Sequence, residues 1–269
     1  MDFLFLLTLL TYLTASILHV LFLGTGNHKV ARSGYWVTIA GFIFHTVFIA
    51  LQWSSQGHWY DKTTFFAWAI ILIYFGVSRL TRLHTIGVFV VPIAFIAILI
   101  AYRAPEGDTA VPVALQNYWL IAHVPIIFLA YAIFVAAFGF GLMYLIEEKR
   151  IREKKHTLVF NLLPALGQSD ELAHKCILVG AVLLTVGILM GGLWMQFYPE
   201  TELKWTDWKV VLTIATWFIY VSQLGIRQVF GWRGRKTAYS AIVGFAAILF
   251  NIGVNLFLPS AHDWGLGIK

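Results

Sequence analysis

Long apolar stretches, separated by short polar segments, follow one another along the whole chain. Each stretch is close to the ~20 residues that an α-helix needs to cross a bilayer. The stretches lie at residues 3–23, 34–53, 64–79, 85–102, 119–146, 175–197, 209–228 and 237–258. This pattern predicts an all-α polytopic membrane protein with about eight transmembrane helices and both termini on the same side. We expect residues 1–269 to form a single transmembrane domain.

The basic residues between these stretches predict the orientation of the chain. Fourteen of the nineteen lysine and arginine residues fall in the segments on one side, which we therefore assign to the inside. Because short inner loops are enriched in lysine and arginine, this bias predicts an N-out and C-out topology. Asp2 precedes the first stretch and no basic residue occurs before Lys29, so we expect a retained helix and not a secretory signal.

The composition narrows the class of protein and its partners. The chain is 59% hydrophobic and 12% charged, with a mean hydropathy of +0.78, unlike an ordinary soluble domain. The net charge of +6 comes from residues beside the apolar stretches, so we expect contact with membrane lipid and no nucleic-acid partner. The single cysteine, Cys176, excludes an internal disulfide and any CxxC motif.

Two shorter features concern the sixth stretch. Gly187 and Gly191 form a GxxxG pattern, which predicts close approach of a neighbouring helix. The segment LPALGQSDELAHK, residues 163–175, predicts a short surface helix that leads into this stretch.

Few polar residues lie inside the predicted spans, and no Asp, Glu, Lys or Arg lies near the middle of one. This absence argues against an ion-coupled transporter, which usually needs intramembrane charges. The interior polar residues are His19, His45, Ser222, Gln223, Asn251 and Asn255. His45 is expected roughly 15 Å deep, near the midplane. It is either a functional group or a neutral imidazole that is hydrogen-bonded to a neighbouring helix.

The other histidines on the inner side are expected to be solvated or interfacial. These are His19, His28, His84, His156 and His174. The outer side carries a different set, in which His123 lies near the start of the fifth stretch and His262 follows the eighth. Between them, the loop LWMQFYPETELKWTDWK supplies Trp194, Trp205, Asp207 and Trp208.

This outer set has two interpretations. Aromatic residues at a membrane face form an interfacial belt in many proteins without binding any ligand. Two histidines with aromatic residues between them also suit a bis-imidazole haem site. Haem iron accepts two neutral imidazole nitrogens as axial ligands, and the porphyrin packs against apolar and aromatic walls.

Several segments resemble the CcsA/CcsB-type cytochrome c assembly family, and more closely its HemX/YpjD-like branch of small inner-membrane proteins. They are WLIAHV, FLAYAIFVAAFGFGLMYLIEEKR, LPALGQSDELAHK, GWRGRK and GVNLFLPSAHDWG. The resemblance covers nearly the whole chain and is strongest from about residue 117 onwards. It implies that His123 and His262 are the axial haem ligands at the outer face, that Trp194–Lys209 is the family's tryptophan-rich loop, and that His45 belongs to a membrane-embedded haem site.

The resemblance also implies a function. Non-covalently bound haem b would be held for delivery to an apocytochrome c or another cytochrome-assembly subunit, in a bacterial inner membrane. The chain would then be a delivery component and not an enzyme. Asp207 is a candidate for orienting an imidazole or for meeting the counter-group of a haem propionate.

The chain also departs from the family pattern. The family's loop usually reads like WGxYWxWDPKE, and here Trp208 stands where proline is expected. The family's second intramembrane histidine falls near Gly225. These departures favour an alternative, a haem-free membrane regulator or scaffold of a haem-biosynthesis enzyme or another membrane partner. The pair formed by His123 and His262 favours the haem-binding function.

Overall fold

The computed structural model describes residues 2–56, 62–103, 118–154, 162–197 and 205–257. Within these ranges all regular structure is helical, and eight helices are long and apolar enough to span a membrane. They are α1 (Asp2–Thr25), α2 (His28–Gln56), α3 (Lys62–Thr81), α4 (Gly87–Arg103), α5 (Tyr118–Arg152), α6 (Leu166–Phe197), α7 (Trp208–Phe230) and α8 (Arg235–Phe257). The predicted all-α class and the eight spans are confirmed.

The helices pack as two neighbouring groups, α1–α4 and α5–α8, which meet where α3 and α4 contact α5. Small residues allow this meeting. A Cβ atom at Gly139 in α5 would lie 2.8 Å from Ile86 Cδ1, just before α4. Residues of both groups belong to one cluster of buried apolar side chains, which includes Ile70, Val90 and Phe140. The two groups therefore form one continuous core.

Helix α6 is longer than the sequence predicted. It runs without a break from Leu166 to Phe197, so the short helix expected within 163–175 is the first part of α6 itself. Pro164 lies before the first turn, and no proline occurs inside the helix that would interrupt its hydrogen bonds. The polar first turns are stabilised in the helix because Asp170 faces the protein interior and binds a neighbouring helix.

A buried ion pair ties together the ends of α6, α7 and α8. Arg227 Nη1 and Nη2 donate to the two carboxylate oxygens of Asp170, each at 3.0 Å. The backbone N–H of Gly234 donates to Asp170 Oδ1 at 2.7 Å, and Arg227 Nη1 also donates to Thr237 Oγ1 at 3.0 Å. Arg227 lies in the last turn of α7, at the inner end of the predicted span 209–228.

We call the end of the bundle at which α5 begins, α6 ends and α7 begins the outer end, after the predicted orientation, which stays a prediction. The inner end is the opposite one, which carries the pair formed by Asp170 and Arg227.

Candidate functional site

His123 lies near the start of α5 and packs against α6. Its Nδ1 atom is 2.9 Å from the backbone carbonyl oxygen of Gly187. A carbonyl oxygen can only accept a hydrogen bond, so Nδ1 carries the proton. In the neutral ring the lone pair is then on Nε2, which is the nitrogen available to a metal. The contact with α6 therefore fixes both the tautomer and the orientation of the imidazole.

Two glycines of α6 make room for this contact. A Cβ atom at Gly191 would lie only 2.8 Å from His123 Cε1. A Cβ atom at Gly187 would lie 2.7 Å from Ile127 Cγ1, one turn further along α5. The close helix approach that the GxxxG pattern predicted is present. The imidazole of His123 packs against the second glycine of this pattern, Gly191.

The next glycine of α6, Gly192, lies against a tryptophan. A Cβ atom at Gly192 would lie 2.8 Å from Cη2 of Trp205, which precedes α7. The imidazole of His123 therefore packs against Gly191, and the indole of Trp205 packs against Gly192. The structure thus brings these two predicted site residues to the same turn of α6. Sequence reasoning missed Gly192, although the pair GG before the tryptophan-rich loop was a usable signal.

The other described members of the predicted site differ in their surroundings. Trp205 and Trp208 are 57% and 58% exposed at the outer end, whereas Trp194 is buried in α6. Asp207 is the N-cap of α7, and its Oδ1 atom accepts a hydrogen bond of 2.9 Å from the backbone N–H of Lys209. An N-cap carboxylate satisfies a backbone donor that the helix leaves unpaired. Asp207 therefore fixes where α7 starts and how Trp208 is presented.

His262 lies outside the described residues, as do residues 198–204 of the loop. The pairing of His123 with His262 therefore stays a prediction.

His45 is fully buried between α1, α2 and α3. Its Nδ1 atom is 3.1 Å from the hydroxyl oxygen of Tyr12 in α1, and the backbone of Thr64 in α3 faces the ring. Gly41 allows the approach, since a Cβ atom there would lie 2.7 Å from Tyr12 Cδ1. The contact with Tyr12 suits a neutral imidazole hydrogen-bonded to a neighbouring helix, and a membrane-embedded haem site at His45 stays a prediction.

The position matched to the family's second intramembrane histidine lies elsewhere. Gly225 is exposed on α7, and a Cβ atom there would meet no atom within 4 Å. His45 belongs to the first group of helices and Gly225 to the second. A side chain at position 225 would point away from the described part of the bundle, so these two positions do not face a common site within it.

One histidine on the inner side contradicts the sequence expectation. His19 is 1% exposed and not solvated, and its Nε2 atom lies 3.3 Å from Thr38 Oγ1. A Cβ atom at Gly87 would lie 2.8 Å from His19 Nδ1, so this glycine opens the space that buries the ring. His28 and His84 are exposed as expected, His174 is half-buried, and His156 lies outside the described residues.

The fold and the site define a polytopic helical membrane protein with an oriented imidazole and exposed indole rings at one face. A family model described as cytochrome c assembly protein matches residues 53–262, and the chain belongs to this family. The match includes His123 and ends at His262, while His45 precedes it.

Curated relatives agree with this assignment. The chain is 29% identical to a cytochrome c biogenesis protein CcsA from Guillardia theta, over 96% of this chain and 93% of the relative. It is 26% identical to the protein of the same name from Prochlorococcus marinus (strain NATL2A), over 89% and 87% of the two chains. A CcsA from Marchantia polymorpha is also 26% identical, over 82% of this chain and 83% of the relative.

Proposed function

We propose that this protein binds haem at the outer face of the membrane, with His123 and His262 as axial ligands, and holds it for cytochrome c maturation. The role in cytochrome c biogenesis follows from the family to which the chain belongs. The observation that carries the haem-binding part is the hydrogen bond from His123 Nδ1 to the carbonyl oxygen of Gly187.

This hydrogen bond gives His123 the properties of a metal-ligating histidine. Such residues almost always donate their second ring N–H to a carbonyl, a carboxylate or water, which fixes the ring and raises its basicity. The Gly187 carbonyl does this for His123 and leaves Nε2 as the ligand atom. Haem iron, when bound, accepts two such nitrogens as axial ligands. The imidazole of His123 therefore fits the role of an axial haem ligand.

The surrounding side chains suit a flat, apolar molecule. Trp205 and Trp208 expose more than half of their surface at the end of the bundle where His123 lies. Trp205 rests on α6 beside the imidazole, and we propose that it shields one part of the porphyrin. Asp207 contributes by capping α7, which sets the position of Trp208. Trp194 is buried in α6 and shares a helix face with Gly191, against which His123 packs.

The state and the destination of the haem complete the proposal. Cys176 is the only cysteine of the chain and is half-buried in α6, so the chain has no pair of thiols for covalent attachment. The bound cofactor is then non-covalent haem b, delivered to an apocytochrome c or another assembly subunit. We assign the chain to a bacterial inner membrane, to an N-out and C-out topology and to the HemX/YpjD-like branch, on its charge bias and segment order.

Absorption spectra of the purified protein, oxidised and reduced, test this function. We expect a low-spin reduced spectrum that is lost or shifted in His123→Ala and in His262→Ala. His28→Ala, which removes an exposed imidazole at the inner end, is the control and keeps the spectrum. A colourless protein that also fails to take up added haem would overturn the proposal and favour the haem-free regulator or scaffold.

A further inference from the structure

Helix α7 carries five of its polar residues on the side that faces the protein. Thr213, Thr216, Tyr220, Gln223 and Arg227 follow one another at intervals of three and four, so they share one face of the helix. We call these five residues the α7 polar stripe. It extends over about 21 Å, a large part of the ~30 Å hydrocarbon core of a bilayer.

The opposite face of α7 is apolar and exposed. It carries Val211, Ile214, Phe218 and Val229. This distribution is the reverse of that in a helix on the surface of a soluble protein, where apolar residues face the core. In lipid, polar side chains are tolerated mainly where they bind one another or line a hydrated cavity. The hydrogen bonds of the stripe distinguish these two cases.

Both ends of the stripe are bonded to other helices. At the outer end, Thr213 Oγ1 lies 3.3 Å from the hydroxyl oxygen of Tyr131 and 3.3 Å from Asn251 Nδ2. At the inner end, Arg227 is bonded to Asp170 and to Thr237.

Just inside the outer end, Thr216 Oγ1 donates to the carbonyl oxygen of Leu212 in its own helix, at 2.8 Å. The polar groups of Thr213, Thr216 and Arg227 therefore need no further hydrogen-bond partner.

The middle of the stripe is different. The hydroxyl of Tyr220 and both amide atoms of Gln223 are buried and have no hydrogen-bond partner among the residues that the structure describes. Tyr220 is fully buried and Gln223 is 6% exposed. Unpaired polar groups at this depth are costly because lipid offers no donor or acceptor.

The ring of Tyr220 is held in place and cannot easily turn away. It stacks on Phe134 of α5 with ring centroids 3.7 Å apart and planes inclined by 7°. On its other side, a Cβ atom at Gly244 of α8 would overlap the ring. The hydroxyl is therefore fixed inside the bundle formed by α5–α8, and Gln223 follows Tyr220 about one turn further along α7.

We propose that the α7 polar stripe binds water inside this half of the membrane domain, between Tyr220 and Gln223. The amide offers donors and an acceptor, and the hydroxyl offers one of each, so the set is neutral and suits water. A buried water molecule typically makes about three hydrogen bonds to polar groups that would otherwise be unpaired. The nearest charge on the stripe, Arg227, is neutralised by Asp170, so an ion is not favoured here.

Radiolytic hydroxyl labelling with mass spectrometry tests this site on the full chain in lipid nanodiscs. X-rays generate hydroxyl radicals from water that is bound beside a buried ring, so hydration appears as labelling of that ring. Tyr12 is the internal control, since it is equally buried and its hydroxyl is bonded to His45. We expect Tyr220 to be labelled severalfold faster than Tyr12.

Two variants in α7 locate the water. Gln223→Leu removes the amide and should lower the Tyr220 rate to that of Tyr12. Gln228→Leu makes the same change at an exposed position and should leave the rate unchanged. Equal labelling rates of Tyr220 and Tyr12 in the unsubstituted protein would overturn the proposal. This comparison needs no variant, so it remains decisive if Gln223→Leu does not fold. An unchanged Tyr220 rate in a folded Gln223→Leu variant would overturn it as well.

Discussion

The imidazole of His123 donates its Nδ1 proton to the backbone carbonyl of Gly187, across the interface between α5 and α6. Any residue at position 187 would supply that carbonyl, but the space for the ring depends on glycine at position 191. The GxxxG pattern, which commonly serves helix packing alone, here also positions a candidate ligand. Packing of α5 against α6 and ligand geometry are therefore coupled.

Gly191→Ala tests this coupling. The added methyl group would meet His123 Cε1, so the ring must move and its hydrogen bond to Gly187 must lengthen. Loss of a contact that orients a metal ligand typically lowers affinity by about 10- to 100-fold. We expect a decrease of that size in haem affinity, measured by titration of the purified protein with haem.

The control for this prediction is Gly225→Ala in α7. It makes the same chemical change inside a helix, at a position where a Cβ atom meets no atom within 4 Å. Its haem affinity should equal that of the unsubstituted protein. Equal affinities of Gly191→Ala and Gly225→Ala would show that the ring position does not matter.

Removal of the charge on Arg227 should destabilise the membrane domain strongly. Arg227→Gln leaves the carboxylate of Asp170 buried without its bidentate partner, and the two side chains are only 8% and 11% exposed. Breaking a buried pair in this way costs about 3–5 kcal/mol. The measurement is the free energy of unfolding of the protein in mixed micelles, titrated with SDS.

Arg152→Gln is the matched control for this charge removal. Arg152 pairs with Glu148 at 3.4 Å within α5, and its side chain is 66% exposed. Such surface pairs contribute up to about 1 kcal/mol. A similar loss of stability in both variants would contradict a specific role for the buried pair.

Gly244→Ala should destabilise the bundle of α5–α8. The new Cβ atom would overlap the ring of Tyr220, which is confined by its stacking on Phe134. Overpacking of a filled core costs about 1–3 kcal/mol. Gly253→Ala, in the same helix but with open space around its Cα, should instead leave stability unchanged or raise it slightly. If thermal unfolding midpoints of the two variants coincide, the packing around Tyr220 is looser than the structure indicates.

Variants of Asp207 separate helix capping from a role for its charge. Asp207→Ala removes the acceptor for the Lys209 N–H and should cost about 1 kcal/mol. Asp207→Asn keeps a good capping side chain without the charge and should retain both stability and haem affinity. Thermal unfolding and haem titration measure the two properties. A loss of haem affinity in Asp207→Asn, equal to that in Asp207→Ala, would assign the carboxylate a direct electrostatic role.

The sequence predicted the eight spans because the length of an apolar stretch alone decides whether a helix can cross a bilayer. It also predicted that His123 and Trp205 lie at the same end of the spans, since position along the spans suffices for that. The bounds of α6 were not predictable in the same way. Its first turns are polar, and the contact of Asp170 with Arg227 of another helix, which stabilises them, cannot be seen in hydropathy.

Contacts between helices account for the other differences. The burial of His19 depends on Gly34 and Gly87, which lie in two other elements and open space for the ring. The contact of Trp205 with Gly192 requires α7 to begin beside the end of α6. Hydropathy carries no information on which helices are neighbours. A small residue can be recognised as making room for a polar side chain of another helix only when it is known which helices are neighbours.

The most direct test of the central claim is the reduced absorption spectrum of His123→Gly, purified with haem, before and after addition of imidazole. If His123 is an axial ligand held by Gly187, the low-spin spectrum is lost in the variant and returns when free imidazole enters the space left by the side chain. A variant whose spectrum without imidazole equals that of the unsubstituted protein would show that the iron does not bind His123.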